Sequence, residues 1–279
     1  MEIKSTLRNS LPKVLLIVLI ALAAPAPAQT ATAAGADSLH TVRHEQYFGI
    51  GRTNTLDTYL SPVEYVGTSL SILHRTERMA RWGKGRIGVQ ATYAGYAAMP
   101  RSQADDDPAM EAGLSAAVAW LYGFRPVGRW TFALGGMAEA ESGFTYLVRG
   151  GNNPAQGRLT VHLGMTGRVV RPFRVGRQQW EARAQVDVPL IGAMFTPNYG
   201  QSYYEIFSLG HYDKNIRATH PWNAPSARLT ATLTLPLWGA HLSLGYNGEA
   251  RQSHVNHLKH HTWNHHFIIG YVRTLRLLR

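Results

Sequence analysis

Arg228-Leu229-Thr230-Ala231-Thr232-Leu233-Thr234-Leu235-Pro236-Leu237 decides the fold. Leu229, Ala231, Leu233, Leu235 and Leu237 fall on one face, and Arg228, Thr230, Thr232 and Thr234 on the other. A repeat of two is a strand signature, because successive side chains of an extended chain point to opposite sides. The same alternation recurs on both sides of this stretch. Leu159, Val161, Leu163 and Met165 alternate with Thr160, His162, Gly164 and Thr166. Trp180, Ala182, Ala184, Val186 and Val188 alternate with Glu181, Arg183, Gln185 and Asp187. Further examples start near Ile87, Leu114, Trp130 and Leu242, and a less regular one runs from Phe267 to Leu278. Eight clear strands lie between 85 and 278, with a weaker one at 64–79 and a further candidate at 43–53.

The connections sort by length. Short ones fall at 81–84, 125–128, 173–176 and 238–240, and long ones at 100–108, 149–156, 196–226 and 255–262. Short turns at one end and long loops at the other fit an all-β, antiparallel, up-and-down transmembrane β-barrel. About ten strands are expected, with eight and twelve as neighbours. Trp82, Trp120, Trp130, Trp180 and Trp238 lie near the short turns, with Trp222 and Trp263 at the long-loop side. Amphipathic rings gather at the headgroup level of a membrane in this way. A soluble sandwich is the competing fold, but it has no reason to confine tryptophan to an edge. The chain ends Leu277-Leu278-Arg279, without the terminal aromatic residue common in outer-membrane barrels.

The N-terminal segment indicates export. Lys4, Arg8 and Lys13 precede the apolar run Val14–Ala24, and Ala26-Pro27-Ala28 supplies a small-x-small cleavage site. This reads as a signal peptide over 1–28, followed by a flexible segment at 29–42 and a barrel over 43–279. The run is shorter than the roughly 20 residues of a spanning helix. The whole chain carries 28 Lys and Arg against 17 Asp and Glu, a net charge of +11. Without 1–28 the balance is 25 basic to 16 acidic residues, near +9. Such a charge would suit nucleic acid, but an exported chain excludes that partner. Arginines near the short turns fit lipid phosphates instead. The absence of cysteine excludes a disulfide scaffold, thiolate metal sites and a lipid-modified N-terminal cysteine.

Leu56-Asp57-Thr58-Tyr59-Leu60-Ser61-Pro62-Val63-Glu64-Tyr65-Val66-Gly67 resembles the opening motif of domain-of-unknown-function family 3316, from about Tyr47 onward. The resemblance implies a bacteroidete outer-membrane barrel with no assigned activity. In physical terms, Asp57 and Ser61-Pro62 suit a turn that enters a strand near Glu64.

Inside a barrel of this size there is room for side chains but not for an open pore. The inward face carries small residues such as Gly113, Ser115, Ala117, Ala133, Gly135, Gly164 and Gly245. It also carries Glu111, Glu139, Glu141, Arg168, Glu181, Arg183, Asp187, Arg228 and Glu249. Both signs together point to a charge-paired plug, and Glu139, Arg183 and Asp187 are the lumen candidates for a binding or proton-handling role.

Six of the 13 histidines fall between 254 and 266. His254, His257, His260 and His261 are the loop candidates for ligand binding, and His254, His257 and His261 the candidates for a metal. No Asp or Glu accompanies them, and Asp105-Asp106-Asp107 lacks the spacing of a calcium loop. No cofactor is implied. The expected function is a structural or ligand- or partner-binding barrel without catalysis, with long loops facing outward. One alternative is a lipid-modifying acyl hydrolase or transferase using Ser253-His254 or Ser202. The other is a narrow channel or uptake component. No nucleophile elbow, zinc-protease motif or phosphate loop is present. Expected partners are outer-membrane lipids, the barrel-insertion machinery and an external ligand.

Overall fold

A computed structural model describes residues 41–151, 153–237 and 240–276. Ten long strands form the wall: β1 (Thr41–Asp57), β2 (Tyr65–Met79), β3 (Ile87–Ala98), β5 (Ala109–Gly123), β6 (Thr131–Leu147), β7 (Ala155–Val175), β8 (Gln178–Phe195), β10 (Ser226–Leu237), β11 (Ala240–Val255) and β12 (Leu258–Arg276). Two short strands lie outside the ring: β4 (Arg101–Ser102) pairs with β2, and β9 (Ile216–Thr219) with β8. The single helix among the described residues, α1 (Tyr203–Phe207), sits in the loop before β9. No described helix is long and apolar enough to cross a membrane.

Each wall strand pairs antiparallel with its neighbours, and β1 closes on β12 from Thr41↔Arg276 to Asp57↔His260. Closure matters because an unpaired edge would leave a row of backbone groups without partners. Tight curling needs close backbone approach at inward positions. A Cβ on Gly135 would stand 1.7 Å from the Trp120 carbonyl, and one on Gly270 1.9 Å from that of Gln46.

The outer face is apolar. Phe48, Ile50, Leu70, Ile72, Leu114, Leu163, Ile191, Phe267 and Ile269 are exposed around the ring. The inner face is polar and buried, with Glu45, Arg75, Gln90, Glu111, Thr166, Arg228 and Asn264 among its side chains. A water-soluble barrel of this size would carry the reverse pattern.

The eight clear strands are present, and so are those expected at 43–53 and 64–79, the first longer than expected at both ends and the second starting one residue later, at Tyr65. Thr41 and Val42 already belong to β1; the expected signal peptide, the rest of 29–42, Trp238 and the terminal Leu277-Leu278-Arg279 lie outside the described residues. The expected turn at 173–176 shrinks to Gly176-Arg177, because β7 continues through Val175.

The expected loop at 255–262 does not exist. β11 and β12 are joined by Asn256-His257, both at positive φ (52° and 62°), the geometry of a tight primed hairpin turn. The histidine-rich stretch is therefore strand. Its alternation was invisible because imidazoles occupy both faces: His260 and His266 share the inward parity of Thr262 and Asn264, while His261 and His265 point outward with Trp263 and Phe267.

Candidate functional site

The lumen is crossed by ion pairs in three groups. Strand alternation delivers each side chain inward, and the ring order brings distant strands face to face.

Toward the long-loop end, Arg158 on β7 reaches Asp57 on β1 at 3.0 Å and Glu111 on β5 at 2.7 Å. Tyr96 donates to Glu111 at 2.9 Å, and Thr145 donates to the other oxygen of the same carboxylate. In the middle, Glu139 on β6 meets Arg228, His162 at 2.8 Å and Arg251 at 3.0 Å. Arg251 also contacts Glu249 at 2.8 Å and Glu141 at 3.2 Å. Asp187 accepts from Thr166 at 2.6 Å and Gln185 at 2.9 Å. Toward the short-turn end, Arg183 on β8 binds Glu45 at 2.7 Å and Glu77 at 3.2 Å. Arg75 and Arg43 complete the set around Glu45, and Arg43 reaches Glu181 at 2.6 Å.

Arg75, Arg228, Glu45 and Glu111 are almost wholly buried. An ion taken out of water is tolerated only with close partners, and this network provides them. β7 and β1 are diametrically opposed in the ring, as are β8 and β2, so Arg158–Asp57 and Arg183–Glu77 tie opposite walls together. The cavities between the groups are small; one lined by Glu141, Arg158, His162, Arg251 and His260 measures about 50 Å³, enough for a few waters.

The 196–225 loop reaches across the long-loop end of the barrel. Ser202 caps α1, and Glu205 accepts from both its backbone N–H and its hydroxyl, which holds the Glu205 carboxyl below its ordinary value. Tyr203 donates to Gln156 at 3.0 Å on β7, and its ring meets Tyr59 edge-on at 6.0 Å. Tyr59, in the β1–β2 loop, donates to the Gln201 carbonyl, and burial pushes its hydroxyl up to about 12. The two tyrosines thus join opposite rims of the barrel.

The candidate residues separate. Glu139 and Asp187 lie around Arg228, and Arg183 in the group nearer the short turns. All nine charged residues expected inside take part in the network. His260 faces the lumen, bonded to Thr262 at 3.2 Å, rather than standing in an external loop. His261 is on the outer wall, stacked on Trp263 at 4.4 Å and bonded to Asn54 at 3.0 Å. His254 and His257 line a groove against the 196–225 loop. His254, His257 and His261 are therefore not brought together, and no group of three or more potential metal ligands occurs among the described residues. Ser253 and His254 point to opposite faces of β11, and the Ser202 hydroxyl is engaged in its helix cap.

Sequence reading missed Asp57, Arg158, Glu45, Glu77, Arg75 and Arg251. Asp57 looked like a turn residue and Arg158 like the edge of a loop. The available signal was parity: Asp57 lies an even number of residues from Glu45, and Arg158 from His162 and Arg168.

The model of a protein family of unknown function, DUF3316, matches residues 14–279. The chain belongs to that family. No curated protein matches. Among solved structures, the DUF3316 chain is similar to the outer membrane protease OmpT of Escherichia coli, at 8% identity and TM-score 0.44, covering 88% of this chain and 100% of that one. It is also similar to the β domain of the Bordetella autotransporter BrkA (12%, TM-score 0.42, covering 84% and 98%). The translocator domain of the Neisseria meningitidis autotransporter NalP is a third (11%, TM-score 0.35, covering 96% of each chain).

Proposed function

We propose that this DUF3316 protein is a non-conducting, non-catalytic outer-membrane barrel whose external loops bind a ligand. The observation that carries the reading is the set of ion pairs tying opposite walls of the lumen, from Arg158–Asp57 to Arg183–Glu77. A channel needs a continuous wet path, and buried pairs across the diameter argue against one. The exposed apolar wall supports lipid as the surrounding solvent, since contiguous patches of this extent are rare on soluble monomers. Catalysis would need a nucleophile and base within hydrogen-bond reach in an accessible pocket. Ser253, His254 and Ser202 are placed or engaged otherwise.

The test is reconstitution of the folded protein into lipid vesicles and planar bilayers. The expected result is neither steady conductance nor small-sugar flux above protein-free controls. Regular single-channel steps would overturn the reading.

A further inference from the structure

The wall has one imperfect joint. The β8–β10 ladder ends at Asp187↔Arg228, and from Gly192 to Phe195 β8 pairs with β9 instead. Between Thr219 and Ser226 the chain leaves the wall through Pro221 and Pro225 and lifts Trp222 out to 88% exposure. β9 consequently stands beside the β11–β12 hairpin without a ladder between them. The joint is held by the His254 N–H donating to the Asn223 carbonyl at 2.7 Å and by the Asn256 amide donating to the Lys214 carbonyl at 2.9 Å.

A groove of about 960 Å³ opens there, at the upper end of the range for small-ligand sites. Lys214, Arg217, His220, His254 and His257 line it. No carboxylate lines it among the described residues, and neither Lys214 nor Arg217 is drawn into an ion pair. This contrasts with the lumen, where every group of arginines meets carboxylates.

The wall beside the groove is apolar. Leu159 and Val161 pair with Phe195 and Ala193, which pair in turn with Ile216 and Ala218 of β9. Leu159, Val161 and Ile216 are 54%, 55% and 75% exposed, and Ile216 itself lines the groove. A greasy strip thus runs along the outer wall to β9, and Arg217, on the opposite face of that strand from Ile216 and paired with the buried Met194, lines the groove at its edge with Lys214. From this continuity we infer that the groove holds the phosphate headgroup of a lipid in the surrounding leaflet, with its acyl chains lying along the strip. The inference rests on the reading above, and it names the ligand class.

The probes are dioleoylphosphatidic acid and dioleoylphosphatidylcholine, titrated into the full-length folded protein in neutral detergent micelles. Phosphatidic acid should bind about tenfold or more tighter, and Lys214→Ala/Arg217→Ala should abolish that preference while leaving heat-modifiable folding intact. If the double variant fails to fold, raised salt on the unaltered protein reads the same term, since screening should erase the preference. A preference that survives both the double variant and salt overturns the inference. So does inorganic phosphate or an acidic peptide binding as tightly as the phosphatidic acid, which would make the groove a general anion or peptide site. No preference for phosphatidic acid in an unaltered protein that conducts nothing refutes this inference alone; conductance refutes the earlier reading alone.

Discussion

Arg158 and Asp57, on diametrically opposed strands, meet at 3.0 Å across the barrel, and Arg158 also holds Glu111 at 2.7 Å. One arginine therefore neutralises carboxylates from two other strands. Arg158→Met leaves both carboxylates buried without a counter-charge, which should cost about 3–5 kcal/mol. Urea unfolding in micelles measures it. Adding Asp57→Asn and Glu111→Gln should recover part of the loss, and an Arg158→Met barrel as stable as the parent would contradict the role of this pair.

Glu139 holds Arg228, Arg251 and His162 together in the middle group. A double-mutant cycle of Glu139→Gln with Arg228→Met should show a coupling of about 0.5–3 kcal/mol, because the two side chains share one network. Strict additivity would mean that the contact contributes nothing specific.

Leu163 is 59% exposed on the outer wall, while Thr166, three positions along β7, is fully buried inside. Leu163→Arg should destabilise the inserted barrel by about 2–4 kcal/mol if it lies near the bilayer midplane. Folding into vesicles reads the effect. An unchanged folding yield and midpoint would argue that this face meets water.

Glu205 closes the capping box of α1 through Ser202. Its carboxyl is held below the ordinary value of 4.5 by hydrogen bonds from Ser202. A depressed carboxyl stabilises the fold above its ordinary value and loses that contribution as pH falls through the lowered one. A spin label at Leu209→Cys, clean because the chain has no cysteine, should gain mobility as the pH falls well below 4.5. In Glu205→Ala, which has no acceptor for Ser202, the label should be mobile throughout. A mobility independent of pH in the parent would remove Glu205 from this role.

The architecture could be read from the chain because a barrel wall writes itself as strict alternation, as at Leu229–Leu237 and Leu159–Met165. β12 escaped where imidazoles stand on both faces and erase the contrast in hydropathy, and the turn Asn256-His257 lacks the glycine that usually marks a primed hairpin. Parity also identified the charged lumen residues in the well-read strands, such as Glu139 and Arg183. It could not pair them, because partners such as Arg183 and Glu77 are 106 residues apart and meet only when the ring closes. The groove at β9 was beyond sequence reading for a related reason. It exists because β9 displaces β10 on the β8 edge, and no local pattern announces that exchange.

Spin labels on single-cysteine variants, in lipid vesicles, test the arrangement most directly. Leu114→Cys, Leu163→Cys and Ile269→Cys sample the outer wall, and Ser115→Cys and Thr166→Cys the lumen. The three outer labels should collide with dissolved oxygen and escape a water-soluble nickel quencher, while both lumen labels should be shielded from either. Outer labels reached freely by the nickel reagent, or lumen labels reached as freely as bulk water, would contradict a lipid-facing wall around an ion-paired interior.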